Sequence, residues 1–235
     1  MAATQDRHGQ LPSTFGQGVR VAFPVMLGYL PVGFAFGVLA RATGLSVAEV
    51  GLMSLLVYAG TSQFIAVGMI GSGMAAPAIL STTFLVNLRH LLMSTALVPS
   101  MRTNQAWQNG LLAYGITDET FAVNSALLRG RPAHAAYVSG IHIACQATWV
   151  VISIFGALIG QMAGQAEALG LDFALPAMFI GLLVPNLVGE DRRARLTAAV
   201  VAAAAAVLAL ILAPGNSWAI IAATLLAATV GAFVR

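Results

Sequence analysis

Along this chain polar positions are sparse, and they gather in short clusters separated by apolar stretches of nearly even length. A helix crossing the hydrocarbon core of a bilayer needs about twenty mainly apolar residues. That rule predicts helices near 17–40, 47–70, 75–99, 106–128, 133–160, 172–189, 194–213 and 217–234. The expectation is an all-α integral membrane protein of about eight transmembrane helices, with seven as the alternative count. Residues 1–16 read as a polar cytoplasmic tail, because "MAATQDRHGQLPSTFGQGVR" shows no apolar core leading into a small-residue cleavage site. Residues 17–235 read as one transmembrane helical domain. The 172–189 stretch is short, and 133–160 is long enough to tilt or to end in a re-entrant piece. Pro24 and Pro31 are expected to kink the first helix.

Composition strengthens that reading. Hydrophobic residue types make up 59% of the chain and charged types 8%, where a soluble domain carries about a quarter charged residues. The basic residues are all arginine, 11 in number. With the N-terminus inside, Arg7, Arg20, Arg129, Arg131, Arg192, Arg193, Arg195 and Arg235 fall on the cytoplasmic side, and only Arg41 and Arg102 fall outside. That bias supports a cytoplasmic N-terminus by the positive-inside rule. The net charge of +3 is not gathered on a polar face, so a nucleic-acid partner is not expected. The one cysteine, Cys145, has no intrachain partner for a disulfide.

Two textures suggest internal organisation. "FGVLARATGLSVAEVGLMSLLVYAG" (36–60) loosely echoes "FGALIGQMAGQAEALGLDFALPAMFIGLLVP" (155–185), which would fit a duplication into 17–128 and 133–235. Chance similarity among Gly-, Ala- and Leu-rich segments is the simpler reading. The Ala- and Val-rich end, 198–230, reads as scaffold. The small-xxx-small patterns "GFAFG" (33–37) and "GALIGQMAG" (156–164) read as close helix packing.

Chemistry, if present, lies where polar groups sit at hydrocarbon depth, since a charge at a helix centre costs about 2.5 to 3.5 kcal/mol on insertion scales. Three clusters meet that description. In "YAGTSQF", Tyr58, Gly60, Thr61, Ser62 and Gln63 fall mid-span. Gly weakens a helix by about 1 kcal/mol, so at least one interrupted helix is expected here, offering amide N–H groups on one side and carbonyls on the other. An unbroken helix with a hydroxyl-lined packing face is the alternative. In "NLRHLLMS", Asn87 and His90 share a helix face while Arg89 points elsewhere. Arg89 is expected either to line a polar cavity and hold a carboxylate through paired N–H groups, or to lock two helices as a structural ion pair. In "GITDETF", Asp118 and Glu119 are adjacent, so they diverge by about a hundred degrees on a helix. One could pair with Arg89 while the other faces a cavity and carries a coupling proton. Both could instead be neutralised structural partners.

Other polar positions weigh less. Gln146, Thr148 and Trp149 could line the same cavity, although a lone Trp is more often packing. His142 reads as a satisfied core histidine, and Pro185 with Asn186 could end or break the sixth span. No H-E-x-x-H, G-x-S-x-G, Cys/His ligand set or G-x-x-x-x-G-K occurs, so no enzyme, metal centre or ATP-driven pump is supported. No cofactor is expected.

The motifs "YAGTSQF", "NLRHLLMS" and "TDETFAV", in this order and spacing, make the chain resemble the AzlC/YgaZ/BrnF family over most of its length, from "FPVMLGYLPVGFAFGVLA" onward. The resemblance implies the large subunit of an energised exporter of branched-chain amino acids in a bacterial inner membrane. It also implies a small AzlD-type membrane subunit as partner. Motif by motif it points to Tyr58, Gly60, Thr61, Ser62, Gln63, Asn87, Arg89 and His90 for substrate and to Asp118 and Glu119 for protons. On this reading the helix N-terminus at Thr61 to Gln63, with Arg89, takes the substrate carboxylate, and Asp118 or Glu119 takes its ammonium or the coupling proton. Phe64, Phe84, Met93 and Phe121 neighbour those motifs and are expected to form an apolar pocket. The rivals are a non-transporting structural or sensing subunit and a channel-like permease for another small amphiphile.

Overall fold

Thr14 opens the first helix. Its hydroxyl accepts the Gln17 backbone N–H, and the Gln17 side chain accepts the Thr14 N–H in return, a capping box that satisfies two otherwise orphaned donors. The helix, α1 (Phe15–Ala42), then runs without interruption through Pro24 and Pro31. Thr43 and Gly44 end it; Gly44 takes φ +95°, a conformation that disfavours any side chain. Ser46 and Glu49 form a second capping box at the start of α2 (Val47–Leu56). There follow α3 (Gly60–Gly71), α4 (Ala76–Met101), α5 (Ala106–Tyr114), α6 (Asp118–Leu128) and α7 (Ala135–Ala163). The computed structural model describes residues 13–101, 105–128 and 131–163, together with the helical positions Thr197, Val200, Val201, Ala204, Val207 and Leu208. No strand occurs among them.

The five predicted helices from 17 to 160 are all present as helix, within a few residues at their ends. Two of them are broken in the middle. The 47–70 segment is α2 and α3, parted at Val57–Ala59, and the 106–128 segment is α5 and α6, parted at Gly115–Thr117. The second break corrects the expectation of a continuous helix there. Its cause is local: Gly115 lowers helix stability, and Thr117 with Thr120 starts a new helix by reciprocal capping. Thr120 N–H bonds to Thr117 Oγ1 at 3.3 Å and Thr117 N–H to Thr120 Oγ1 at 2.8 Å. The 133–160 segment neither breaks nor re-enters. The predicted spans 172–189 and 217–234, Pro185, Asn186 and the second copy of the 155–185 echo beyond Ala163 lie outside the described residues, as does 194–213 apart from the six positions named.

The chain divides into two compact units, 1–175 and 176–235. In the first, α1 and α7 form the central pair. Gly18 lies against Tyr137 to Ile141, Gly33 against Trp149 and Ile152, and Gly37 against Ser153 to Ala157, so the two helices run parallel. Gly156 and Gly160 of α7 meet Phe34 and Val38 of α1, which is the close packing expected of "GFAFG" and "GALIGQMAG". α1 and α7 (the latter over Ala135–Gly160) are each long and apolar enough to cross a membrane.

Burial is distributed as in a protein whose solvent is oil. Ser54, Ser62, Gln63, Thr117, Thr120, Asn124, His142 and Ser153 are buried, while Leu80, Phe84, Leu91, Leu92, Val151 and Phe155 face outward. Exposed apolar surface on this scale would drive association in water. Phe84, expected in an apolar pocket, is 66% exposed and does not line one.

Candidate functional site

The two helix breaks meet. At the first, Tyr58 adopts φ +40°, a left-handed conformation costing a residue with a side chain about 1–3 kcal/mol. The turn swings the chain so that α3 starts at Gly60. A Cβ on Gly60 would press on the Trp149 ring at 3.2 Å, so glycine lets the helix start against that indole. The N-cap residue, Ala59, has no side-chain acceptor for the first turn of α3, so its leading N–H groups lack a side-chain cap.

Arg89 joins the breaks. From α4 its Nη2 donates to Thr61 Oγ1 at 3.0 Å, and its Nη1 pairs with Asp118 Oδ2 at 2.9 Å. One guanidinium therefore links the first turn of α3 to the first residue of α6. Both helix starts carry a partial positive charge of about half a unit, which Asp118 offsets. The third donor, Arg89 Nε, is buried without a partner, as are Asn87 Oδ1 and His90 Nε2 on the same helix. Buried polar atoms without partners are uncommon in native proteins, and three lie here within one turn of α4.

Glu119 makes a different contact. Tyr29 of α1 donates its hydroxyl to Glu119 Oε2 at 3.0 Å and lies 2.9 Å from Thr117 Oγ1. The single Tyr29 proton goes to Glu119, so the 2.9 Å contact is made by the Thr117 hydroxyl donating to Tyr29, in competition with a longer 3.4 Å contact from Thr117 Oγ1 to Thr120 Oγ1. The hydroxyl chain Thr117 to Tyr29 to Glu119 leaves Glu119 held by neutral groups, and among the described residues it forms no ion pair. Asp118 and Glu119 thus point to different partners, as adjacent helical residues must.

Around the first break the partners are uncharged. Ser62 Oγ donates to the Ala59 carbonyl at 3.0 Å. Gln63, fully buried, accepts the Trp149 indole N–H at 3.0 Å and donates to Ser54 Oγ at 3.3 Å. Tyr29 meets Trp149 edge to face at 5.2 Å, and Trp149 stacks on Phe36 at 6.0 Å. The Tyr58 hydroxyl lies beside that of Tyr29 without a well-formed bond. On the other side of the breaks, Tyr114 donates to the Leu55 carbonyl, and Gln146 Nε2 donates to both Leu55 O (3.1 Å) and Tyr114 Oη (2.8 Å). The carbonyl ends of α2 and α5 are thereby clasped together. His142 is a buried core histidine bonded through Nε2 to Asn124 at 3.0 Å, but it is not fully satisfied, because its Nδ1 is buried without a partner.

The AzlC protein family profile matches residues 24–163, more than half of the chain and all three motifs around the breaks. The chain belongs to the AzlC family. An uncharacterised membrane protein of Archaeoglobus fulgidus is 35% identical over 198 residues, covering 81% of this chain and 84% of the relative. The inner membrane protein YgaZ of Escherichia coli is 32% identical, covering 83% and 82%. The branched-chain amino acid transport protein AzlC of Bacillus subtilis is 24% identical, covering 80% and 73%. No solved structure matches. As an AzlC-family member the chain is a membrane protein.

Within this AzlC-family chain, Tyr29, Ser54, Thr117 and Thr120 are site neighbours that the motif reading passed over, and Trp149, taken for packing, also binds Gln63. A signal for the second break was present. "LLVYAGTSQFIAV" (55–67) and "LLAYGITDETFAV" (111–123) align without a gap, matching Leu55 with Leu111, Tyr58 with Tyr114, Thr61 with Thr117 and Val67 with Val123. In this alignment Gln63 stands opposite Glu119, and each is held from a flanking long helix, by Trp149 and by Tyr29. Replacing Trp149 with Phe leaves the Gln63 carbonyl oxygen buried without its donor, which costs about 1–3 kcal/mol. A lowered thermal midpoint is expected, and Gln63→Leu combined with Trp149→Phe should recover part of it.

Proposed function

We propose that this chain is the large subunit of a secondary active exporter of branched-chain or other apolar amino acids. It has about eight spans and a cytoplasmic N-terminus, lies in a bacterial inner membrane, and works with a small AzlD-type subunit and a proton gradient. The Bacillus subtilis relative, a branched-chain amino acid transport protein, supports the substrate class, and the Escherichia coli relative, an inner membrane protein, supports the membrane. One observation carries the reading: Arg89 spans two broken helices with a donor to spare. Its Nη atoms hold Thr61 and Asp118 while Nε has no partner. An arriving carboxylate has that donor and the uncapped N–H groups of α3 to bind. Glu119, held only by hydroxyl chemistry, suits a cation, either the substrate ammonium or a proton. Tyr58, Gly60, Ser62, Gln63, Asn87 and His90 line or shape this junction.

Efflux of labelled valine from vesicles holding both subunits tests the proposal. Saturable efflux above that of empty vesicles is expected; its absence would sink the transport reading. Glu119→Gln should keep exchange but flatten the pH dependence of net efflux. An Asp118→Asn, Glu119→Gln double variant that transports with its pH dependence unchanged would remove protons from the mechanism. The closed Arg89–Asp118 pair also favours a second reading, a subunit in which this pair only locks α4 to α6. That reading predicts no saturable thermal stabilisation by leucine or valine.

A further inference from the structure

We propose that the aliphatic side chain of the substrate is received in a cavity between α4, α5 and α7, one helical turn and more beyond the Arg89–Asp118 pair. The proposal rests on the transport reading above and adds the pocket that would set selectivity. The cavity has a volume of about 210 Å3, against the ~150 Å3 that holds a benzene ring in an engineered apolar site. A four-carbon branched side chain therefore fits with room left over. Its walls are mainly Leu97, Val98 and Met101 of α4 with Leu112 of α5 and Ile116 of the second break.

Geometry along α4 connects cavity and polar junction. Asn87, His90, Ser94, Leu97 and Met101 follow one another at steps of three and four, so they form one continuous stripe. Its first two members carry the partnerless buried Oδ1 and Nε2, and its last three line the cavity. On the facing side Ile116, in the cavity wall, is two residues from Asp118, in the ion pair. Along α4 the cavity begins at Ser94, five residues and about 7.5 Å of helix rise beyond Arg89, and a zwitterion with a hydrocarbon tail has the same order of parts, charged groups at one end and apolar surface at the other. Asn109 in the wall also has a buried Oδ1 without a partner. This placement replaces the apolar pocket expected from Phe64, Phe84, Met93 and Phe121, of which Phe84 faces outward and Phe64 is packed on Phe36 at 5.5 Å.

The experiment compares efflux of labelled alanine, valine and leucine from vesicles holding both subunits. Val98→Phe narrows the cavity from an exposed position and should raise the KM for leucine at least tenfold while leaving that for alanine within threefold. Leu97→Ala widens it and should admit norleucine. An unchanged leucine-to-alanine ratio in both variants, with efflux intact, overturns the pocket and leaves the transport reading standing. If neither variant reaches the membrane, Ser94→Cys decides, because the native Cys145 is buried. Leucine should slow maleimide modification of that site more than alanine does, and equal rates would overturn the proposal.

Discussion

Arg89→Gln is expected to lower stability and to abolish efflux, and the two losses should separate when Asp118→Asn is added. The single change leaves Asp118 without its cation. Removing one partner of a fully buried pair costs about 3–5 kcal/mol. Here the two side chains are 31% and 27% exposed, so the pair is not fully enclosed by protein, and a cost of about 3 kcal/mol, the lower end of that range, is expected. Adding Asp118→Asn removes the stranded charge and should return the thermal midpoint most of the way to that of the unaltered protein. Transport should not return with it. Neither Gln nor Asn provides the guanidinium that meets a carboxylate with paired N–H groups, and efflux of labelled valine should stay at least 100-fold down, equivalent to about 2.7 kcal/mol. Arg89→Lys sharpens the test, because one ammonium cannot span Thr61 and Asp118 and still keep a free planar donor. A double variant that exports at the original rate would make the pair a structural lock.

What could be read from the chain follows from which physics is local. The five helical stretches from 17 to 160 came out well because long apolar runs bounded by polar clusters favour helix whatever follows them in the chain. The break at Val57–Ala59 was legible because the glycine and hydroxyl residues that follow it weaken a helix on their own terms. The break at Gly115–Thr117 was not, because the reading treated Asp118 and Glu119 as charges in a helix and overlooked Thr117 and Thr120 as a cap. Pairings across the fold were least legible. That Asp118 and not Glu119 meets Arg89, and that Tyr29 holds the other carboxylate, depends on how α1, α4 and α6 are placed. No local pattern encodes that. Trp149 shows the same limit: an indole in an apolar helix reads as packing until a buried amide is found opposite its N–H.

Those cross-chain contacts depend on the spacing of α1 and α7, which makes the glycines between them the second sensitive point. Gly37→Ala and Gly156→Ala are each expected to cost about 1–3 kcal/mol, the usual penalty for overpacking a filled interface. A Cβ on Gly37 would fall on the Ser153 carbonyl and 2.7 Å from the Ala157 nitrogen, and one on Gly156 would fall on the Phe34 carbonyl and 2.9 Å from its carbon. Those obstacles are backbone atoms, which cannot swing aside as a side chain does, so the helices must separate. Once one alanine has forced them apart the other meets less resistance, so the double variant should lose less than the sum of the singles. Gly28→Ala, at an exposed α1 position with nothing within 4 Å of the new carbon, should instead be neutral or stabilising by about 0.5–1 kcal/mol, through helix propensity alone. Transport should fall further than stability in Gly37→Ala, since Tyr29 and Trp149 sit on these two helices and reach across to Glu119 and Gln63 through bonds of 3.0 Å. A shift of a few tenths of an ångström in the pair would lengthen both bonds at once. A thermal midpoint for Gly37→Ala equal to that of Gly28→Ala would mean that the close approach of α1 and α7 does not hold the site in place.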